Sequence, residues 1–224
     1  LEDMVALGLP FWLAGDYATP EKLAHVRSQG AHGIQVGTLF AFSNESGVDE
    51  TLRKDAIHTV LNEVAPEGGW IFTDPRSSPT GFPFKAARIP GSISEESIYL
   101  QRKRICDLGY LRHHYKKEDG SVAQRCPAEP QADYVKKNGL LEDTVGRKCL
   151  CNALMADIGM AQIQASGQKE MHLLTAGDDL NNIKRMIKVG QNSYSAKDVI
   201  NYLLDLDVKP QPHINPPVEK SLEL

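Results

Sequence analysis

The sequence predicts an α/β protein, and three observations carry that prediction. Phe11-Trp12-Leu13-Ala14 is a short unbroken apolar run closed by Gly15, which suits a strand covered on both faces. Gly33-Ile34-Gln35-Val36 is a second extended run, closed by Gly37-Thr38. Between them Thr19 can cap a helix that Pro20 opens, and Leu23, Ala24 and Val26 give it an apolar stripe ending at Gly30. The order is strand, glycine turn, helix, strand, glycine turn, a βαβ unit whose strands near 10–14 and 33–37 should be parallel neighbours. In a parallel sheet both turns leave the carboxyl ends of their strands, where backbone N–H groups and a helix N-terminus can hold a phosphate. Tight packing alone would also explain isolated glycine turns.

After the polar turn Ser43–Gly47, Asp49 or Thr51 can cap a helix carrying Leu52, Ala56, Ile57, Val60, Leu61 and Val64, which Pro66 and Gly68 end. His58 lies off that stripe and is expected to be exposed. From Gly69 the texture changes: Trp70–Thr73 is strand-like, and Asp74–Phe84 is a loop dense in Pro, Gly and Ser. A helix is expected from Ser94 to Cys106, a turn at Asp119-Gly120, and a short helix around Ala132–Lys137 that Asn138-Gly139 ends. Cys149–Gln162 reads as a buried helix, and Asp178-Asp179 as the start of another that runs to Gly190. Ser195 with Asp198 forms a capping box before Val199, Ile200, Leu203 and Leu204. The proline-rich tail from Lys209 is expected to be extended.

Composition excludes several classes. With 41% hydrophobic and 24% charged residues the chain is globular, and no run of about 18 apolar residues is present to span a bilayer. A net charge of −4 gives no electrostatic ground for nucleic-acid binding. No export signal is evident, so the expected compartment is the cytoplasm and the four cysteines, Cys106, Cys126, Cys149 and Cys151, are expected to be reduced. Their spacing lacks the two-residue gap of zinc knuckles, so no metal site is expected.

Several segments together resemble one family, the nitronate monooxygenases, formerly 2-nitropropane dioxygenases: LAGDYATPEKLAHVRSQGAHGIQVGTLFAFSNESG, FTDPRSSPTGFPFK, RICDLGYLR, RCPAEP, DTVGRKCLCNALMADIG and TAGDDLNNI. The resemblance implies the C-terminal part of a TIM (β/α)8 barrel that holds FMN, followed by a mostly helical C-terminal extension. On it residues 1–68 are the last two strand–helix units, 69–208 the extension and 209–224 a flexible tail. It also implies that Ala14, Gly15 and Asp16 at the first turn, and Gly37 and Thr38 at the second, bind the FMN phosphate through backbone N–H groups and the Thr38 hydroxyl. Where the family usually has a second glycine this chain has Asp16, whose carboxylate must point away from a phosphate.

The implied activity is FMN-dependent oxidation of a small molecule, an alkyl nitronate, by O2. The alternatives are a flavin-dependent enoyl-thioester reductase on the same barrel, or a non-catalytic structural module. No histidine here matches the family's catalytic position, so no catalytic residue is assigned. A barrel takes eight strand–helix units and about 250 residues. The remaining strands are therefore expected from a missing N-terminal barrel half or another subunit, and the chain alone is expected not to retain flavin.

Overall fold

The computed structural model describes residues 1–74 and 77–206. Positions 75–76 of the expected Pro-rich loop, and the expected extended tail from Lys209, lie outside the described residues. The chain starts with helix α1 (Glu2–Ala6), strand β1 (Trp12–Ala14), helix α2 (Pro20–Ser28), strand β2 (Gly33–Gln35), helix α3 (Thr38–Ala41) and helix α4 (Glu50–Asn62). β1 and β2 are parallel, with Trp12 opposite Gly33, Leu13 opposite Ile34 and Ala14 opposite Gln35. The predicted βαβ unit is therefore present. Thr19 accepts from the Lys22 N–H at 3.2 Å, with Pro20 inside the first turn, and Gly30 at φ +96° leaves the helix by a turn open to few other residues. Asp49 Oδ1 accepts the Thr51 and Leu52 N–H groups, both at 3.1 Å, and caps α4 as expected. Leu52, Ala56, Ile57 and Val60 are buried and His58 is exposed, as the helical spacing implies, but the helix stops at Asn62 and the expected stripe residue Val64 lies beyond it, exposed.

One expectation fails in this unit. β1 is not covered on both faces: Trp12 is 55% exposed, and on α2 Val26 alone is buried while Ala24 faces solvent. The small cluster of Phe11, Val26 and Ala31 with Leu13, Tyr17 and Ile34 covers one side of the pair, and the other side stays bare.

The remainder contains strands β3 (Ile71–Asp74) and β4 (Phe84–Ala87), helix α5 (Glu96–Gln101), strands β5 (His113–Lys116) and β6 (Val122–Arg125), and helices α6 (Gln131–Lys136), α7 (Cys151–Ala156), α8 (Ile183–Met186) and α9 (Ala196–Leu203). β3 pairs with β4 and β5 with β6, both antiparallel, so the described residues form three separate two-stranded sheets and no barrel. The extension is thus mixed α/β and not mostly helical. The Asp119-Gly120 turn does close the β5–β6 hairpin: Asp119 Oδ1 accepts the Ser121 N–H at 2.9 Å, and Gly120 sits at φ +83°.

Three helices are shorter than their periodicity suggests. α5 starts after Glu95, without a cap from Ser94, and stops at Gln101. Beyond it, side chains take over the carbonyls that a helix would use internally: Gln164 Nε2 donates to Lys103 O at 2.8 Å and Asn152 Nδ2 to Ile105 O at 3.0 Å. α7 ends at Ala156, because Gly159 turns at φ +76° and residues 163 and 169 then pair as an antiparallel bridge. Ile158 and Met160 are consequently exposed. At 178–190 a 3-10 turn (Asp178–Asn182) precedes α8, and neither Asp178 nor Asp179 caps it through a side chain. The Ser195–Asp198 capping box is present in both directions, at 3.1 Å and 2.7 Å.

The main core draws on both sides of residue 68. Leu39 and Phe42 of the α3 region and Ala56, Ile57 and Val60 of α4 pack with Trp70, Ala87, Leu174, Leu180, Ile183 and Val199. A second core of Ala86, Ile93, Leu150, Ala153 and Leu173 ties the β3–β4 hairpin to α7.

Asp157, at the end of α7, is buried with Oδ1 unpartnered, and burial raises its carboxyl from 3.8 to about 8, against a weaker opposing pull from the Leu173 N–H. The proton is therefore held more tightly in the folded state. The stability it contributes is complete below the unfolded value near pH 4 and is lost as pH climbs through about 8. In urea unfolding across pH 4–8, wild type should lose stability relative to Asp157→Asn, with a difference in slope of up to about 1.4 kcal/mol per pH unit. Parallel curves would refute this account of the buried acid.

Candidate functional site

The parallel register brings the two glycine turns together. Ala14 and Gln35 are partners at the carboxyl ends of β1 and β2, so Gly15 and Val36-Gly37-Thr38 leave the sheet side by side. They open on a cleft of about 910 Å³, whose opposite wall is built by residues 82–85 at the start of β4 and 175–179 before α8. Of the five residues the sequence singles out, Ala14, Gly15, Gly37 and Thr38 line this cleft. Asp16 does not. Its carboxylate turns to Lys22 Nζ at 2.5 Å on the first turn of α2, where both groups are largely exposed, which removes the anion from the mouth of the turn.

The two glycines have different reasons to be glycine. Gly15 adopts φ +115°, which a side chain disfavours. Gly37 has φ −105°, open to any residue, and a Cβ there would meet no atom within 4 Å. Neither backbone conformation nor internal packing requires glycine at 37, so the space beside it is available to something outside the chain.

Thr38 is buried, and its hydroxyl is not simply free. Oγ1 accepts the Gly177 N–H at 2.9 Å, which joins the second turn to the far wall. A hydroxyl that accepts one bond retains its own proton to donate. The helix that follows, α3, has four residues, and the N–H groups of its first turn have no carbonyl partner within it.

The sequence reading missed the far wall. Phe82 and Phe84 stand edge-on with ring centroids 6.4 Å apart. Lys85 is the cation on the lining and is ion-paired with Asp178, and the buried Asp179 lines the cleft as well. The aromatic FPFK stretch and the paired acids were visible as residues, but nothing in their spacing places them opposite residues 14–38. None of the described histidines lines the cleft. Compared with protein-family models, curated proteins and solved structures, the chain matches none.

Two further points bound the chemistry. No described helix is long and apolar enough to cross a membrane. Among the described residues the ionisable groups raised furthest are Asp157 and Tyr194, whose phenol burial pushes well above its ordinary value, and neither lines the cleft.

The Thr38–Gly177 bond yields a direct test. Thr38→Val keeps the shape and leaves the Gly177 N–H without its acceptor, which should cost about 1–2 kcal/mol in urea unfolding. Thr38→Ser should cost less, since it keeps the oxygen. Equal stability of wild type and Thr38→Val would show that the bond does not hold the two walls together.

Proposed function

We propose that this chain is the phosphate-gripping part of an FMN-dependent oxidoreductase resembling the nitronate monooxygenases. The observation that carries this reading is the space at Gly37: a glycine that neither its φ nor its neighbours require, beside Gly15 and over a cleft large enough for a flavin nucleotide. A phosphate drawn close to main chain is a sufficient reason for such a glycine.

The residues fit the group in kind. Backbone N–H groups at 15 and at 37–39 and the Thr38 O–H are donors for phosphate oxygens; Lys85 on the opposite wall is paired with Asp178, so the grip rests on these donors and not on net charge. Asp16 is neutralised by Lys22 and lies off the lining. Phe82 and Phe84 give an apolar, aromatic surface against which a planar ring can rest, as in pockets that combine apolar walls with a few placed polar groups. FMN bound there would supply the redox chemistry, oxidising an alkyl nitronate with O2. The residues of this chain bind and orient it and exclude water. We assign no catalytic residue here.

The same reading makes β1 and β2 the last two strands of a (β/α)8 barrel. Support comes from their parallel pairing, the exposed Trp12 and the half-bare stripe of α2, since parallel strands are ordinarily covered on both faces. Further parallel strands, from a longer polypeptide or another subunit, would cover them.

The reading is tested on protein whose barrel is complete. Gly37→Val should fill the space kept for the phosphate and lower bound flavin about tenfold or more, equivalent to about 1.4 kcal/mol, while Thr38→Ser should retain it. Flavin absorbance of the purified proteins measures both. Equal loading of wild type and Gly37→Val would remove the site assignment.

A further inference from the structure

The four cysteines look unrelated in sequence, yet the fold gathers them. Cys126, just after β6, and Cys149, just before α7, are buried in one small cluster with Ala128. Asn152, next to Cys151 at the start of α7, donates to Ile105 O at 3.0 Å and to Asp107 Oδ1 at 2.8 Å, which sets the Cys106 segment against the same helix end. All four thiols of the chain thus share one neighbourhood, reached from the loop after α5, the β5–β6 hairpin and α7. That explains why spacing along the chain gave no hint of a common site.

Burial raises the Cys126 and Cys151 thiols, against a weaker opposing pull from main-chain donors. The Ala128 N–H is directed at the Cys126 sulfur two residues behind it, and the Tyr110 and Leu111 N–H groups at the sulfur of Cys151. Metal binding releases the proton of a thiol ligand, and donors of this kind then hold the anionic sulfur. Arginines also crowd the cluster. Arg112 Nη2 donates to Cys106 Sγ at 3.3 Å, Arg104 acts on Cys126, and Arg102 feels Cys149. Arg104 Nε is buried without a partner. Arg102 is paired with the Glu170 carboxylate, so Arg104 and Arg112 are the guanidinium groups left beside the sulfurs. Four thiolates around one divalent cation carry two net negative charges, which adjacent arginines offset.

Among the described residues no three Cys, His, Asp or Glu side chains already stand at metal-ligand geometry. The sulfurs share a neighbourhood and are not drawn to one point, so a bound ion would have to draw them together. We propose that Cys106, Cys126, Cys149 and Cys151 bind a single zinc ion that fastens the β5–β6 hairpin and the loop after α5 to α7. A closed site of four cysteines is structural, with no open position for substrate. This proposal is independent of the flavin reading, since none of the four cysteines lines the cleft.

Metal analysis of the full 224-residue chain, purified under reducing conditions without chelator, should find about one zinc per chain. Replacement by Co2+ should give the thiolate charge-transfer absorption and intense visible bands of a tetrahedral cobalt–sulfur site. Cys126→Ser and Cys149→Ser should each lose the metal. Because either variant can fail to fold, the native chain gives a second readout: titration with a mercurial thiol reagent should release zinc to a chromogenic chelator in step with modification of the four thiols. A folded, metal-free chain with four freely titrating thiols would overturn the proposal. So would a Cys126–Cys149 disulfide, or iron accompanied by acid-labile sulfide.

Discussion

A parallel strand pair cannot be self-sufficient, and that constraint shapes most of this molecule. Parallel strands need a crossover between them and cover on their faces, and α2 and the α3–α4 region meet only part of the need. The rest comes from far along the chain. Leu174, Leu180, Ile183 and Val199 enter the same core as Leu39, Phe42 and Ile57. The segment also makes the main-chain links: Leu174 O accepts the Ala87 N–H at 2.8 Å, Thr175 bridges to Ala86, and Tyr194 donates to Leu39 O at 2.8 Å while its carbonyl accepts from Asn44. The β3–β4 hairpin and the βαβ unit are thus held against each other by residues 174–194, and the cleft is the seam they leave.

Polar groups inside the extension follow the rule that a buried charge must be paired. Arg102 and Glu170 are both almost fully buried and form an ion pair, with Arg102 Nη2 also donating to Cys149 O at 2.6 Å and its guanidinium lying over the Tyr99 ring. Removing either partner would leave an uncompensated buried charge, which is far more costly than any exposed pair is favourable. Lys22–Asp16 and Lys85–Asp178 are of the exposed kind, worth little to stability. Their interest is local: each fixes where a charge sits relative to the cleft.

Local chemistry was legible in the sequence and distant chemistry was not. Thr19-Pro20, Asp49 and Ser195–Asp198 announce helix starts because a cap is satisfied within three residues, and the structure forms each of them. The two glycine turns were legible for the same reason, and four of the five expected site residues line one cleft. The shortened α5 and α7 were not legible. Their ends depend on Asn152, Gln164 and a bridge at 163–169, partners that periodicity cannot see. Nor could spacing reveal that Asp178 answers Lys85, or that thiols up to 45 positions apart meet, since 106 and 151 are joined only through the fold.

The hydrogen bond from Gly177 to Thr38 spans 139 positions of chain. Closing so long a loop is entropically slow and is rewarded only when the core on either side of it forms. Until that core forms, the βαβ unit has only its local contacts. The cleft must wait for the segment around residue 177 to emerge and dock. In a growing polypeptide the glycine turns therefore exist first as an open edge, and the walled cavity is among the last features the molecule acquires.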